Sequence, residues 1–97
     1  MKVYLAQYNL MEKSRYGGSE KREIVGVFST KGKAVTALKA EMVRAIREGS
    51  FIAKRDDIKT TEFKSQGERC LELTFQHSTV DGFYCDCIGS IWAEELQ

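Results

Sequence analysis

Residues 29–47, STKGKAVTALKAEMVRAIR, decide how the rest of the chain is read. Val35, Leu38, Met42, Ala45 and Ile46 recur at offsets of three, four and seven, which places them on one stripe of a 3.6-residue spiral. Ser29 or Thr30 offers the side-chain oxygen of an N-cap, and Gly49 stands just past the last turn, where a left-handed residue is favoured. Arg44 and Arg47 lie toward the negative end of the helix dipole. Ala34, Ala37, Ala40 and Ala45 raise helix propensity, while Gly32 lowers it by up to roughly 1 kcal/mol relative to alanine. The stretch therefore reads as the one substantial helix, with an apolar stripe that must be buried.

Alternating patterns surround this helix. Residues 2–10 read as an interior strand, with Tyr4, Ala6, Tyr8 and Leu10 on one face and Val3 and Leu5 on the other. Residues 11–22 are polar and contain Tyr16-Gly17-Gly18-Ser19, which predicts a long loop joining two strands of a hairpin. Residues 23–28 form the second strand, whose central Gly26 suggests a bulge or the close passage of the helix. Phe51-Ile52-Ala53 reads as a tucked segment, residues 57–64 as an edge strand carrying Lys59 and Lys64, and Ser65-Gln66-Gly67-Glu68 as a turn.

Residues 69–77 alternate cleanly, with Leu71, Leu73 and Phe75 as the core set. A turn at residues 78–82 returns the chain as a last strand over residues 83–88. Pairing His77 with Phe83 sets Phe75 opposite Cys85 and Leu73 opposite Cys87, so both cysteines face the core. Tyr84, Asp86 and Ile88 then share the other face with Cys70, Glu72 and Thr74. Ser90 is read as the cap of a short C-terminal helix over residues 91–96, with Ile91, Trp92 and Leu96 covering the end of the sheet. The expected fold is a single α+β domain spanning residues 1–97. It has two layers, one main helix on a mainly antiparallel sheet of about five strands, in the order β-β-α-β-β-β with a short helix at the end. A rolled sheet or partly open barrel around the helix is the alternative.

A chain of 97 residues with 42% hydrophobic and 30% charged residues is long enough to fold on one core without metal or disulfide. Its three cysteines, Cys70, Cys85 and Cys87, are odd in number and closely spaced, which fits a reducing compartment. No apolar run approaches the roughly 20 residues of a membrane span, and the start lacks the pattern of a signal peptide, so a cytoplasmic location is expected. The net charge of +1 divides unevenly, because every Lys and Arg precedes Cys70 and the remainder carries acids alone. These charges either neutralise one another within the fold or form two patches of opposite sign.

Candidate chemistry is sparse. Cys85 and Cys87 share a face while Cys70 lies opposite, which leaves too few convergent ligands for a closed zinc site, so no metal and no cofactor are expected. His77, the only histidine, has Asp81 nearby but no nucleophile beside it, and no catalytic residue is assigned. The strand-to-helix junction Thr30, Lys31, Gly32 and Lys33 has the form of an anion site without the full phosphate-loop pattern. Lys33, Arg44 and Arg47, followed by Lys54 and Arg55, make a basic stripe that could meet phosphates. Tyr4, Tyr8, Tyr16, Tyr84 and Trp92 are amphipathic aromatics of the kind enriched at interfaces.

Val3-Tyr4-Leu5, together with Val25-Gly26-Val27-Phe28-Ser29-Thr30 leading into an alanine-bearing helix, resembles small uncharacterised single-domain α+β proteins of bacteria and their phages. The resemblance covers the first half of the chain and brings no active residues with it. It implies a single small α+β domain, often phage-encoded, and nothing about chemistry; a phage accessory protein is expected mostly by elimination. With no catalytic constellation in the chain, the expectation is a non-catalytic binding protein that docks on a host or defence protein, modulating or inhibiting it. Partner-binding candidates are Tyr4, Tyr8, Lys33, Arg44, Arg47, Lys54, Arg55 and Tyr84. A nucleic-acid or nucleotide-binding protein that uses the helix start and basic stripe is the alternative, and a small enzyme the third reading. Homodimerisation through the sheet is compatible with all three.

Overall fold

A computed structural model describes residues 1–14, 17–49, 51–62 and 69–95. The chain forms β1 (Lys2–Ser14), β2 (Gly17–Phe28), α1 (Lys31–Glu48), a single 3-10 turn at Arg55–Asp57, β3 (Lys59–Glu62), β4 (Arg69–Ser78) and β5 (Tyr84–Glu95). The five strands make one antiparallel sheet in the order β2-β1-β5-β4-β3, with α1 packed across β2, β1 and β5. The architecture is α+β, one helix on one sheet. No helix among the described residues is long and apolar enough to cross a membrane.

The helix forms where its sequence favours it. Thr30 is the N-cap, its Oγ1 accepting from the Lys33 amide at 3.2 Å. Ala34, Leu38, Met42, Ala45 and Ile46 are the buried stripe. Burying Leu38, Met42 and Ile46 completely contributes about 1.5–3 kcal/mol each relative to exposure. Gly49 closes the helix with φ −83°, so it does not supply the left-handed residue expected of it. The Glu12 carboxylate lies against its Cα, where a Cβ would have to displace it.

The underside of α1 is shaped by a second glycine. A Cβ on Gly89 of β5 would lie 2.8 Å from both Leu38 Cδ2 and Met42 Sδ, so the helix rests on bare strand backbone at this point. Only glycine permits so close an approach. Beyond the reach of α1, the core side of β4 is covered by the segment after the helix. Ala53 and Ile58 are buried there beside Leu71, Leu73 and Phe75. Arg47 Nε donates to the Ala53 carbonyl at 2.9 Å and ties this segment to the last helical turn.

Three further expectations are corrected. Residues 91–95 continue β5 and do not form a short C-terminal helix; Ile91 pairs with Ala6 and Leu71 and is fully buried, so strand pairing on both sides outweighs the capping potential of Ser90. Leu96 lies outside the described residues. The polar stretch expected as a loop belongs to strands, since Met11 to Ser14 pair with Glu20 to Gly17; Tyr16 lies outside the described residues. The β4–β5 hairpin turns one residue later than expected. Thr79 clamps Phe83 through its amide (2.8 Å to the Phe83 carbonyl) and its hydroxyl, with Gly82 at φ +87°. His77 thus pairs with Cys85, Phe75 with Cys87 and Leu73 with Gly89. A shift of two residues leaves every side chain on its expected face, and both cysteines are buried with the leucines.

At Gly26 the ladder carries a bulge. Ala6 pairs with Gly26 and Gln7 with Ile24, leaving Val25 as the extra residue. The nearest atoms to a Cβ on Gly26 belong to the Phe28 ring, not to the helix. The expected edge strand near residue 60 is β3, which lies at the sheet edge; Lys64 and the turn at residues 65–68 are outside the described residues.

Candidate functional site

Because α1 covers one face of the sheet, strand parity decides which side chains can reach a partner. Odd residues of β5 and even residues of β1 face the helix. The others, with Ile24 and Val27 of β2, form the opposite face. Row by row that face holds Val27, Leu5 and Trp92; then Ile24, Gln7, Ser90 and Glu72; then Arg22, Asn9, Ile88 and Thr74; then Met11 and Asp86. Among the described residues no helix lies over it.

Several apolar side chains stand exposed among the polar ones on this face. Ile24 is 68% exposed, Val27 61%, and Met11 and Ile88 each 41%. Gln7, Asn9, Arg22, Ile24, Ile88 and Ser90 line a shallow depression of about 490 Å³ between β2, β1 and β5. Asn9 Oδ1 is buried there without a hydrogen-bond partner among the described residues. Apolar surface beside a few fixed polar groups is the usual make-up of a recognition surface.

The expected contact residues divide. Tyr4 and Tyr8 turn toward the helix side, where Tyr4 packs against the core and Tyr8 is 3% exposed, so neither belongs to the open face. Tyr84 is on the open face at the Lys13 row, far along the strands from Trp92. Sequence reasoning missed Ile24, Val27 and Met11. The signal available for them was the outward parity of apolar residues on a strand that turns out to be the sheet edge.

Two members of the basic stripe, Arg44 and Arg47, are engaged within the protein. Arg44 donates from Nε (3.2 Å) and Nη2 (2.7 Å) to Glu41 Oε2 and from Nη1 (2.6 Å) to Glu48 Oε1, and those carboxylates hold its pKa above the usual arginine range. Arg47 is bonded to Ala53. Of the anion-site candidates, Lys31 pairs with Glu62 at 3.2 Å, and Thr30 already accepts the Lys33 amide. Gly32 and Lys33 are exposed in the first turn, and Lys54 and Arg55 are exposed beside Asp56 and Asp57. The Lys54 amide donates to Asp57 Oδ2 at 2.8 Å.

The cysteines are core side chains. Cys85 and Cys87 are fully buried, and loss of hydration pushes both thiols up to about 12, with Glu12 and Asp86 adding to the effect on Cys85 and Cys85 to that on Cys87. A nucleophilic cysteine requires the opposite shift. His77 is exposed and meets Phe51 edge-on, ring centres 6.1 Å apart. No group of three or more His, Cys, Asp or Glu side chains converges as metal ligands among the described residues; the Cys70 side chain lies outside them.

Comparison with family models, with curated protein sequences and with solved structures yields no match, so the geometry carries the functional argument alone.

Proposed function

We propose that this chain is a non-catalytic binding protein that docks on another protein through the helix-free face of its sheet. What supports the reading is the exposure of Ile24 and Val27, side by side with Leu5 and Trp92, on a face with no second layer among the described residues. Exposed apolar side chains on an edge strand invite association, and evolution usually blunts such edges. The charges of β2 sit lower down, at Glu20 to Glu23, and leave the Ile24–Val27 end apolar. The resemblance to phage-borne proteins extends the reading to a host or defence protein, bound and modulated or inhibited.

A nucleic-acid role through the basic stripe is less well supported, since Arg44 and Lys31 already sit against carboxylates. The discriminating experiment is capture from bacterial lysate after nuclease treatment, comparing the native chain with an Ile24→Glu, Val27→Glu double variant and with Lys33→Glu. A protein retained by the native chain and by Lys33→Glu, and lost with the double variant, supports the reading. Equal recovery by the double variant removes the open face as the docking surface. Nuclease-sensitive recovery that falls with Lys33→Glu transfers the assignment to nucleic acid.

A further inference from the structure

The two edges of the sheet are unlike. β3 has four residues, whereas β2 runs for twelve, and among the described residues no strand lies on its outer side. An edge strand presents a row of unpaired backbone N–H and C=O groups, and proteins blunt such edges by shortness, proline, bulges, charge or cover. The chain contains no proline, and every residue from Gly17 to Ile24 is exposed.

Two features delimit the stretch of this edge that can take a further strand. Gly17 has φ +112°, outside the extended range, and the bulge at Val25 breaks the ladder at the other end. Between them Gly18 to Ile24 pair with β1 without a shift of register. The middle of this run is Lys21. Around it the sequence reads Glu20-Lys21-Arg22-Glu23, and acid stands beside base on both faces of the strand. Arg22 Nη2 is 3.5 Å from Glu20 on the open face, and Lys21 Nζ is 3.6 Å from Glu23 on the helix side.

We propose that the β2 edge joins a second copy of this chain, antiparallel, with Lys21 facing its own counterpart at the two-fold axis. Antiparallel pairing of one edge with itself puts that axis perpendicular to the sheet, so one residue must face itself and both helices lie on the same side. With Lys21 at the centre, Glu20 of each copy faces Arg22 of the other, Ser19 faces Glu23, and Ile24 lies across from Gly18, where no side chain competes for its space. Opposite charges directly across a ladder attract and like charges repel, so two crossed acid–base pairs favour this register. The facing lysines oppose it, each offset by Glu23 of its own strand. Centring the pair on Arg22 carries the ladder into the bulge at Val25 and sets Ile24 against Glu20. Centring it on Glu20 or Glu23 leaves no acid opposite a base. The contact uses the strand's backbone edge and not the open face, so it goes beyond the docking reading and joins two open faces into one surface.

The test is the mass of the whole chain by sedimentation equilibrium over a wide range of concentration, with charge and cysteine variants at the edge. A dimer is expected for the native chain. Glu20→Arg and Arg22→Glu should each weaken it on the order of tenfold, because each turns both crossed pairs repulsive. An equimolar mixture of the two variants should dimerise again, since every arginine then faces a glutamate. Lys21→Cys should form an intermolecular disulfide on mild oxidation, because directly opposed residues fall within the roughly 4.4–6.8 Å Cα separation of such a bond. Arg22→Cys should not, because its counterpart lies diagonally at about 7–8 Å. The native chain, with Cys85 and Cys87 buried, gives the background. A mass that stays monomeric at every concentration overturns the proposal and leaves the edge to a strand of another protein. A dimer indifferent to both charge variants, or one cross-linked at Arg22 and not at Lys21, overturns it too. Partner capture through the open face is read separately, so either reading can fail alone.

Discussion

Alternate residues of β5 live in different surroundings. Cys85, Cys87 and Ile91 are fully buried beneath α1, whereas Tyr84, Asp86, Ser90 and Trp92 on the same strand are only partly buried and Ile88 is 41% exposed. On the helix side every apolar group is accounted for by the chain itself: Leu38 and Met42 rest on Gly89, and Ala53 and Ile58 close over β4. On the open side Ile24 and Val27 gain little from folding, so intramolecular packing does not explain why they are apolar. One face is filled by the chain's own packing; on the other, Ile24 and Val27 stay exposed.

The contrast is broken most severely at Gly89. Gly89→Val places a branched side chain where Leu38 and Met42 already sit 2.8 Å away, and the helix must lift or rotate. A loss of about 2 kcal/mol is expected, as for overpacking of a filled core, read as a lower urea midpoint with an unchanged slope. A loss near zero would mean that α1 does not seat on β5 as described.

A second effect should appear with pH. Both buried thiols are pushed up to about 12 from an ordinary value of 9.0, chiefly by loss of hydration. The unfolded chain releases these protons first as pH rises. The thiols' contribution is therefore complete below about pH 9 and is lost progressively toward pH 12. Melting temperature should fall over that window, and a Cys85→Ala, Cys87→Ala variant should show a shallower fall whatever its stability at neutral pH. Parallel curves would mean that the cysteines are hydrated in the native state.

Much of this layout is legible in the sequence, and the failures have physical causes. The 3.6 period of Leu38, Met42 and Ile46 locates the helix, and strand parity places Cys85 and Cys87 on the core face even though the turn is displaced, because a two-residue slip preserves the face. The strand character of residues 11–14 and 17–22 is hidden because the polar residues of edge strand β2 stay solvated when paired; all eight residues from Gly17 to Ile24 are exposed. The end of β5 is misread because Gly89 blanks one beat of the alternation, and its role becomes clear only once the helix is placed above it. Tyr8 counts as an interface aromatic from sequence, yet it is buried on the helix side, where its surroundings depend on Glu23 and Glu41 arriving from two other elements. For the same reason the sequence does not show how Arg44 of the basic stripe is engaged: Glu41 and Glu48, three residues before and four after Arg44, reach it on the helix surface.

The smallest expected effect is the most informative about the open face. Ile24→Thr keeps a β-branched side chain on β2 and removes apolar surface that is already 68% exposed. In the monomer the change in stability should lie within about 0.5 kcal/mol, because little burial is lost and strand preference is kept. Unfolding at low and high protein concentration separates two ways in which this could break. A loss that grows with concentration identifies a second copy of the chain as the cover, since association stabilises by mass action. A large loss independent of concentration means that the monomer itself shields Ile24, which would merge the two faces into one core and remove the reason to look for a partner there.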